Sequence, residues 1–181
     1  LKWGEDGQPI VETVPKREYD RVSPFDLYPS PHAKNLQDGY LIHKHRFERK
    51  DLNDLIGVEG FDEDAIRKVL REHGDGGLRE WLYEEDERSD LEDRPNDDVS
   101  SSSSTIDCLE FWGSVQGSKL IGWGMEEIED EEVDYDIDAF MIGSTVIGAR
   151  LNPDPLGRRN YYSASFTRVA DSIWGIGVPE Q

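Results

Sequence analysis

Thr105-Ile106-Asp107-Cys108-Leu109-Glu110-Phe111-Trp112-Gly113-Ser114-Val115-Gln116 is the stretch on which the fold turns. Ile106, Cys108 and Glu110 alternate with Leu109, Phe111 and Gly113, a period of two that belongs to a strand. Downstream, residues 134–142 and 144–151 are rich in Ile, Val, Tyr and Phe and read as a hairpin around Gly143. Between these strands, Gly117-Ser118 makes a turn into a short strand, Lys119 to Gly122. After the punctuated segment Asn152-Pro153-Asp154-Pro155-Leu156-Gly157-Arg158-Arg159, Asn160 to Arg168 is predicted to be a further strand. Its faces are Tyr161, Ser163, Ser165 and Tyr162, Ala164, Phe166. Phe111, Trp112, Phe140, Ile142, Val146, Ile147 and Phe166 are predicted to meet around one sheet, because they fall in its strongest strand segments.

Upstream, Ile10 to Val14 is a short strand candidate. Pro24, Pro29 and Pro31 then punctuate an extended, loop-like arm whose Phe25, Leu27 and Tyr28 dock onto the core. Gly39 to Arg46 reads as a strand with Tyr40, Ile42, Lys44 on one face and Leu41, His43, His45 on the other. Lys50 to Ile56 is a short amphipathic helix stopped by Gly57. Asp62 caps a second helix, in which Ala65, Ile66, Val69 and Leu70 recur at helical spacing until His73-Gly74. Leu78 to Glu85 is a further helix candidate. Strands gathered towards the two ends with helices between them predict one α+β, β-rich domain over residues 1–181. The chain begins Leu1-Lys2-Trp3, without a targeting signature, and closes on the glycine-hinged Ser172 to Gln181; it is expected to be an internal fragment of a larger protein.

A net charge of −20 suggests a polyanion, but the acidity is local. Residues 84–98 carry nine acids against two arginines, and residues 126–138 carry nine acids and no base. These two windows hold most of the excess, leaving a near-neutral scaffold with two acidic loops. Phosphate gripping, which needs clustered Lys and Arg, is excluded; Arg158-Arg159 is too small a cluster. The single cysteine excludes an intrachain disulfide framework and points to a reducing compartment. No apolar run approaches the roughly 18 residues of a membrane span.

Candidate chemistry is sparse. Asp134, Asp136 and Asp138 open like a calcium loop, but Ala139 and Thr145 occupy the positions where such a loop needs Gly and Glu. A solvated strand face is the better reading, with a metal-dependent hydrolase as the distant alternative. His43 and His45 share a strand face at metal-pair spacing, yet His32, His73 and Cys108 stand in no spacing relation to them, so they read as partly exposed structural histidines. Cys108 reads as a small buried hydrophobe. Gly175-Ile176-Gly177 lacks the third glycine of a dinucleotide site. No catalytic, cofactor or metal residue is assigned, and the chain is not expected to be an enzyme.

The order of several motifs nonetheless resembles the portal proteins of tailed bacteriophages. Val22-Ser23-Pro24-Phe25-Asp26-Leu27-Tyr28-Pro29-Ser30-Pro31-His32-Ala33 is followed by Gly39-Tyr40-Leu41-Ile42-His43 and a short helix near Lys50. Then come Leu109-Glu110-Phe111-Trp112-Gly113, Val146-Ile147, Asn152-Pro153 and Trp174-Gly175-Ile176-Gly177-Val178-Pro179-Glu180. The resemblance implies a wing-type piece of a dodecameric ring at one capsid vertex, assembled in the bacterial cytoplasm and carried in the virion. DNA is packaged and ejected through such a ring without specific binding by this piece. The implied partners are neighbouring portal subunits, capsid protein, terminase and tail adaptors; no cofactor and no membrane are implied. The acidic, Ser-rich segment 84–104 has no counterpart in that pattern. The rival reading is a self-contained acidic interaction module or DNA mimic.

Residues 86–104 are too charged and too poor in apolar groups to offset their ordering entropy, which predicts a mobile loop. Replacing them with a short Gly/Ser linker is expected to leave the melting temperature nearly unchanged in calorimetry; a drop of many degrees would show that the segment is packed.

Overall fold

A computed structural model describes residues 19–74, 77–78 and 105–176, together with the backbone of two short strands, β1 (Lys2–Trp3) and β2 (Pro9–Ile10), which pair antiparallel. Five further strands form one antiparallel sheet: β3 (Leu27–Pro29), β4 (Leu41–Phe47), β5 (Ile106–Gln116), β6 (Asp134–Ile142) and β7 (Thr145–Leu151). Their spatial order follows the chain, β3-β4-β5-β6-β7. Three helices accompany them among the described residues: α1 (Arg49–Asp54), α2 (Glu63–His73) and α3 (Gly117–Gly122). The fold is α+β and β-rich, and no described helix is long and apolar enough to cross a membrane.

The period of two in β5 divides the core. Cys108 and Trp112 lie on one face, Phe111 and Val115 on the other. On the first face, Ile66 and Val69 of α2 and Leu52 of α1 pack against Ile106, Cys108, Ile142 and Ile147. A smaller cluster on that face joins Leu27, Leu36, Leu41 and Trp112. On the opposite face, Leu120 of α3 and Ile128 cover Ile137 and Ala139. Each face of the sheet therefore carries its own apolar load, and β5 serves both.

Helix α2 starts where the sequence calls for it. The Asp62 side chain accepts from the backbone N–H groups of Asp64 (2.9 Å) and Ala65 (3.1 Å), and Gly74 closes the last turn. Asp62 also anchors the helix to the sheet, its N–H donating to the Ile147 carbonyl at 2.8 Å. Ala149 N–H reaches the Gly60 carbonyl at 3.1 Å, so residues 60–62 cover the outer edge of β7. This close approach requires Gly148, where a Cβ would meet Gly60 O at 2.7 Å and Phe61 Cδ1 at 2.8 Å. Phe140 pairs with Gly148 and Met141 with Val146, which leaves Ile147 without an opposite number. Ile147 turns to the α2 side and is fully buried there.

Several expectations are corrected. Lys119 to Gly122 belongs to helix α3: Gly117 and Leu120 are its buried positions, a spacing of three that so short a window cannot tell from a strand. Asn160 to Arg168 forms no ladder; Thr167 alone bridges, to Ile176, while Tyr162 and Phe166 are 79% and 68% exposed. Phe166 thus leaves the expected core, and Phe111 cannot meet Trp112 because the two point to opposite faces. The proline-punctuated arm is partly a strand, with Leu27 opposite His43, whereas Phe25 is 44% exposed. Pro29, the last residue of β3, is tolerated because this is an edge strand. Leu78 is not helical but bridges to Ile106; the rest of the helix expected there, the loop 86–104, most of Ile10 to Val14 and the exit 177–181 lie outside the described residues.

Ile66→Ala is expected to cost about 2–5 kcal/mol of unfolding free energy in urea, since it empties a fully buried site between α2 and the sheet. Phe166→Ala should change it by less than about 1 kcal/mol. The reverse ranking would refute this assignment of the core.

Candidate functional site

Between the two apolar clusters on the α2 side of the sheet runs a polar seam. Strand periodicity puts His43 and His45 on the same face of β4, with ring centroids 3.8 Å apart. Antiparallel register sets Glu110 of β5 directly opposite His43 and places Cys108 opposite His45. Glu110 is 7% exposed, and its carboxylate is held by three donors. Trp112 Nε1–H donates to Oε1 at 2.7 Å, and the Tyr161 hydroxyl donates to Oε2 at 2.6 Å. His45 Nε2 lies 2.6 Å from the same Oε2. His43 Nδ1 stands 2.7 Å from the Tyr161 oxygen and 3.5 Å from Glu110 Oε2. Because the phenol proton is directed at Glu110, His43 is the donor in its contact with Tyr161.

Tyr161 comes from the segment that follows the sheet, and two side chains secure it. Gln37 Nε2 donates to the Tyr161 carbonyl at 2.9 Å, while Gln37 Oε1 accepts from Arg159 N–H at 2.7 Å. The buried Arg159 guanidinium donates to the carbonyls of Leu36 (3.1 Å) and Gly39. Arg159 is therefore a structural clasp between residues 36–39 and 159–161. Arg158 pairs with Asp154 at 2.8 Å.

The electrostatics of the seam follow from its burial. Burial alone would raise the Glu110 carboxyl, but the surrounding His43 and His45 imidazoles and the Tyr161 hydroxyl more than offset it and hold the group well below the carboxylate range. Asp138 lies on the neighbouring strand, opposite Trp112, and is fully buried. Burial and the nearby Glu110 charge push its carboxyl up to about 6, outweighing the Arg150 guanidinium that grips Oδ2 at 2.6 and 2.8 Å. Oδ1 of Asp138 has no hydrogen-bond partner. Burial and the Glu110 charge likewise raise the Tyr161 phenol and the Cys108 thiol, so neither ionises near neutrality.

The seam forms part of the wall of a cavity of about 750 Å³. His43, Glu110, Trp112 and Arg150 contribute from the sheet, Val22, Leu27 and Leu36 from the N-terminal side, and Tyr161 to Phe166 with Ile173 to Ile176 from the last segment. His43, His45 and Glu110 thus come together, whereas exposed His32 and partly buried His73 lie apart from them. Cys108 is a buried, unreactive thiol, as read from the sequence. The three-aspartate face is corrected: Asp134 and Asp136 are exposed, but Asp138 is fully buried against Arg150, so the three form no common solvated face. Glu110 is the residue that sequence reasoning passed over. Its signal was present in the alternation, a carboxylate on the same face as Ile106 and Cys108, but only the register reveals that it meets His43 and His45.

Compared with known proteins, the sequence matches no family model and no functionally characterised protein.

Folding brings Asp138 a proton between its ordinary value of 3.8 and about 6, so its protonated form favours the native state, and that advantage is lost as pH rises from 3.8 through about 6. Relative to Asp138→Asn, the wild-type chain should lose about 1 kcal/mol of stability between pH 5 and pH 7. Urea titrations of both proteins at several pH values read this difference; parallel pH profiles would contradict the raised Asp138 carboxyl.

Proposed function

We propose that this chain is part of the subunit of a tailed-phage portal ring, in the wing-type portion. The observation that carries the reading is the ordered set of motifs from Val22 to Glu180. Its support from the fold is that several of these motifs are spatial neighbours. The Val22–Ala33 segment supplies β3, which pairs with β4 from the Gly39–His43 motif; β4 in turn pairs with the Leu109–Gly113 motif of β5. Residues following Asn152-Pro153 are clasped to residues 36–39 through Arg159 and Gln37. Motifs from three stretches of the chain therefore lie side by side, as the reading needs.

The role in this reading is structural rather than catalytic. A ring wall under the load of DNA translocation needs stiffness, and an antiparallel sheet with apolar layers on both faces provides it. The exposed acidic residues 126–132 would repel DNA phosphates rather than bind them, consistent with a conduit through which DNA slides. ATP hydrolysis belongs to the terminase motor in this arrangement. Capsid protein, tail adaptors and neighbouring subunits are the partners, and the virion is the final location. The rival acidic mimic would display its carboxylates on an ordered face, whereas Asp138 and Glu110 are buried in the seam.

Interrupting the gene in the phage that encodes this chain is expected to yield heads without DNA. Antibodies raised against the chain should label a single vertex of each wild-type particle in electron microscopy. Packaging that survives the interruption, or label spread over all vertices, would overturn the reading.

A further inference from the structure

We propose that His43 Nδ1, His45 Nε2 and Glu110 Oε2 form a binding site for a zinc-class divalent transition-metal ion at the edge of the cavity, whose wall includes His43 and Glu110. All three atoms lie within 4.8 Å of one another. Two imidazoles with one carboxylate are a donor set suited to such ions rather than to calcium or magnesium, which take oxygen ligands. Around a four-coordinate zinc, neighbouring donor atoms stand roughly 3.4 Å apart, given metal–ligand bonds of about 2.0–2.1 Å. The His43–Glu110 separation of 3.5 Å already matches, and the His45–Glu110 contact of 2.6 Å has to open by less than an ångström.

Two further observations point the same way. Ligating carboxylates and imidazoles are oriented by outer hydrogen bonds: Trp112 holds Oε1 of Glu110 at 2.7 Å and the Tyr161 hydroxyl donates to Oε2 at 2.6 Å, while the second lone pair of Oε2 faces the histidines. The charge balance also favours a cation. Glu110 and Asp138 are two neighbouring buried carboxylates; the Arg150 guanidinium pairs with Asp138 through Oδ2, and the fully buried Oδ1 of Asp138 has no donor. To bind the ion, each neutral imidazole carries its proton on the ring nitrogen away from the metal, so His43 gives up its hydrogen bond to Tyr161 and His45 its bond to Glu110. Three protein ligands leave one coordination position for water or a cavity ligand. The ion ties β4 to β5, beside the Tyr161 segment.

The test titrates zinc chloride into the purified chain. One equivalent is expected to bind, raising the melting temperature by about 5–10 °C at a hundredfold excess over Kd. Cobalt(II) in its place should show the visible absorption of a low-symmetry site. In wild-type protein, nitrogen NMR should shift His43 and His45 on zinc addition and leave His32 and His73 unmoved. His45→Gln, which keeps an N–H donor for Glu110 but removes a ligand, should weaken binding by about a hundredfold or more. Absence of binding, displacement of the zinc by calcium (the mark of the acidic residues 126–132), or histidine signals unchanged at saturation would each overturn the proposal. The NMR arm uses wild-type protein and decides the matter even where the variant fails to fold.

Discussion

The rest of the described structure depends on how the carboxylate of Glu110 is kept comfortable away from water. A buried charge is tolerated only when the protein supplies the hydrogen bonds that water has lost. Here the donors come from three places: Trp112 on the same strand, His45 on the neighbouring strand and Tyr161 on the segment after the sheet. Loss of one partner of a buried charge typically costs about 3–5 kcal/mol, so the network couples elements more than a hundred residues apart in sequence. That coupling explains why residues 159–161 hold to the sheet without being a strand. They are attached by side chains, with Arg159 and Gln37 fastening the backbone and Tyr161 reaching the charge.

Around this polar seam the apolar packing is divided, and the division has a steric logic. The α1–α2 layer lies at one end of the first face and the Leu27–Trp112 cluster at the other, with the seam between them. The opposite face is closed by α3 and Ile128. Glycine at position 148 lets the 60–62 segment come within hydrogen-bonding distance of β7, and the register shift beside it turns Ile147 into the α2 interface. One small residue thus caps the sheet edge and helps complete the largest apolar cluster.

The acidity of the chain has two physical characters. The acidic residues between Glu126 and Glu132 are exposed, and their charges are solvated and screened, with long-range repulsion as their chief effect. Glu110 and Asp138 belong to the interior, where the same functional group acts through hydrogen bonding and mutual charge. The first character acts at the surface, while the second belongs to the seam between β4, β5 and β6. Nothing in the formal net charge separates the two, although their chemistry differs entirely.

Period-two alternation in β4 and β5, the hairpin around Gly143 and the Asp62-to-Gly74 helix were legible because each rests on local rules: side-chain period, turn glycine and capping. The opposed faces of His43/His45 and Ile42/Lys44 were legible for the same reason. Where the window was too short, as at Gly117 to Gly122, helix and strand gave the same pattern and only the burial of Leu120 against Ile137 decided between them. At Asn160 to Arg168 the alternation was present but the ladder was not, since a strand exists only if another strand pairs with it. The candidate site lay furthest from sequence reasoning. His43 and His45 announce themselves by spacing, yet Glu110, Trp112, Tyr161 and Asp138 join them through register and a long-range clasp, and no local pattern encodes which residue stands opposite which. Sequence by itself determined the elements and their apolar faces; tertiary structure alone decided which charges were buried and what they touch, because burial and partnership are properties of the packed chain.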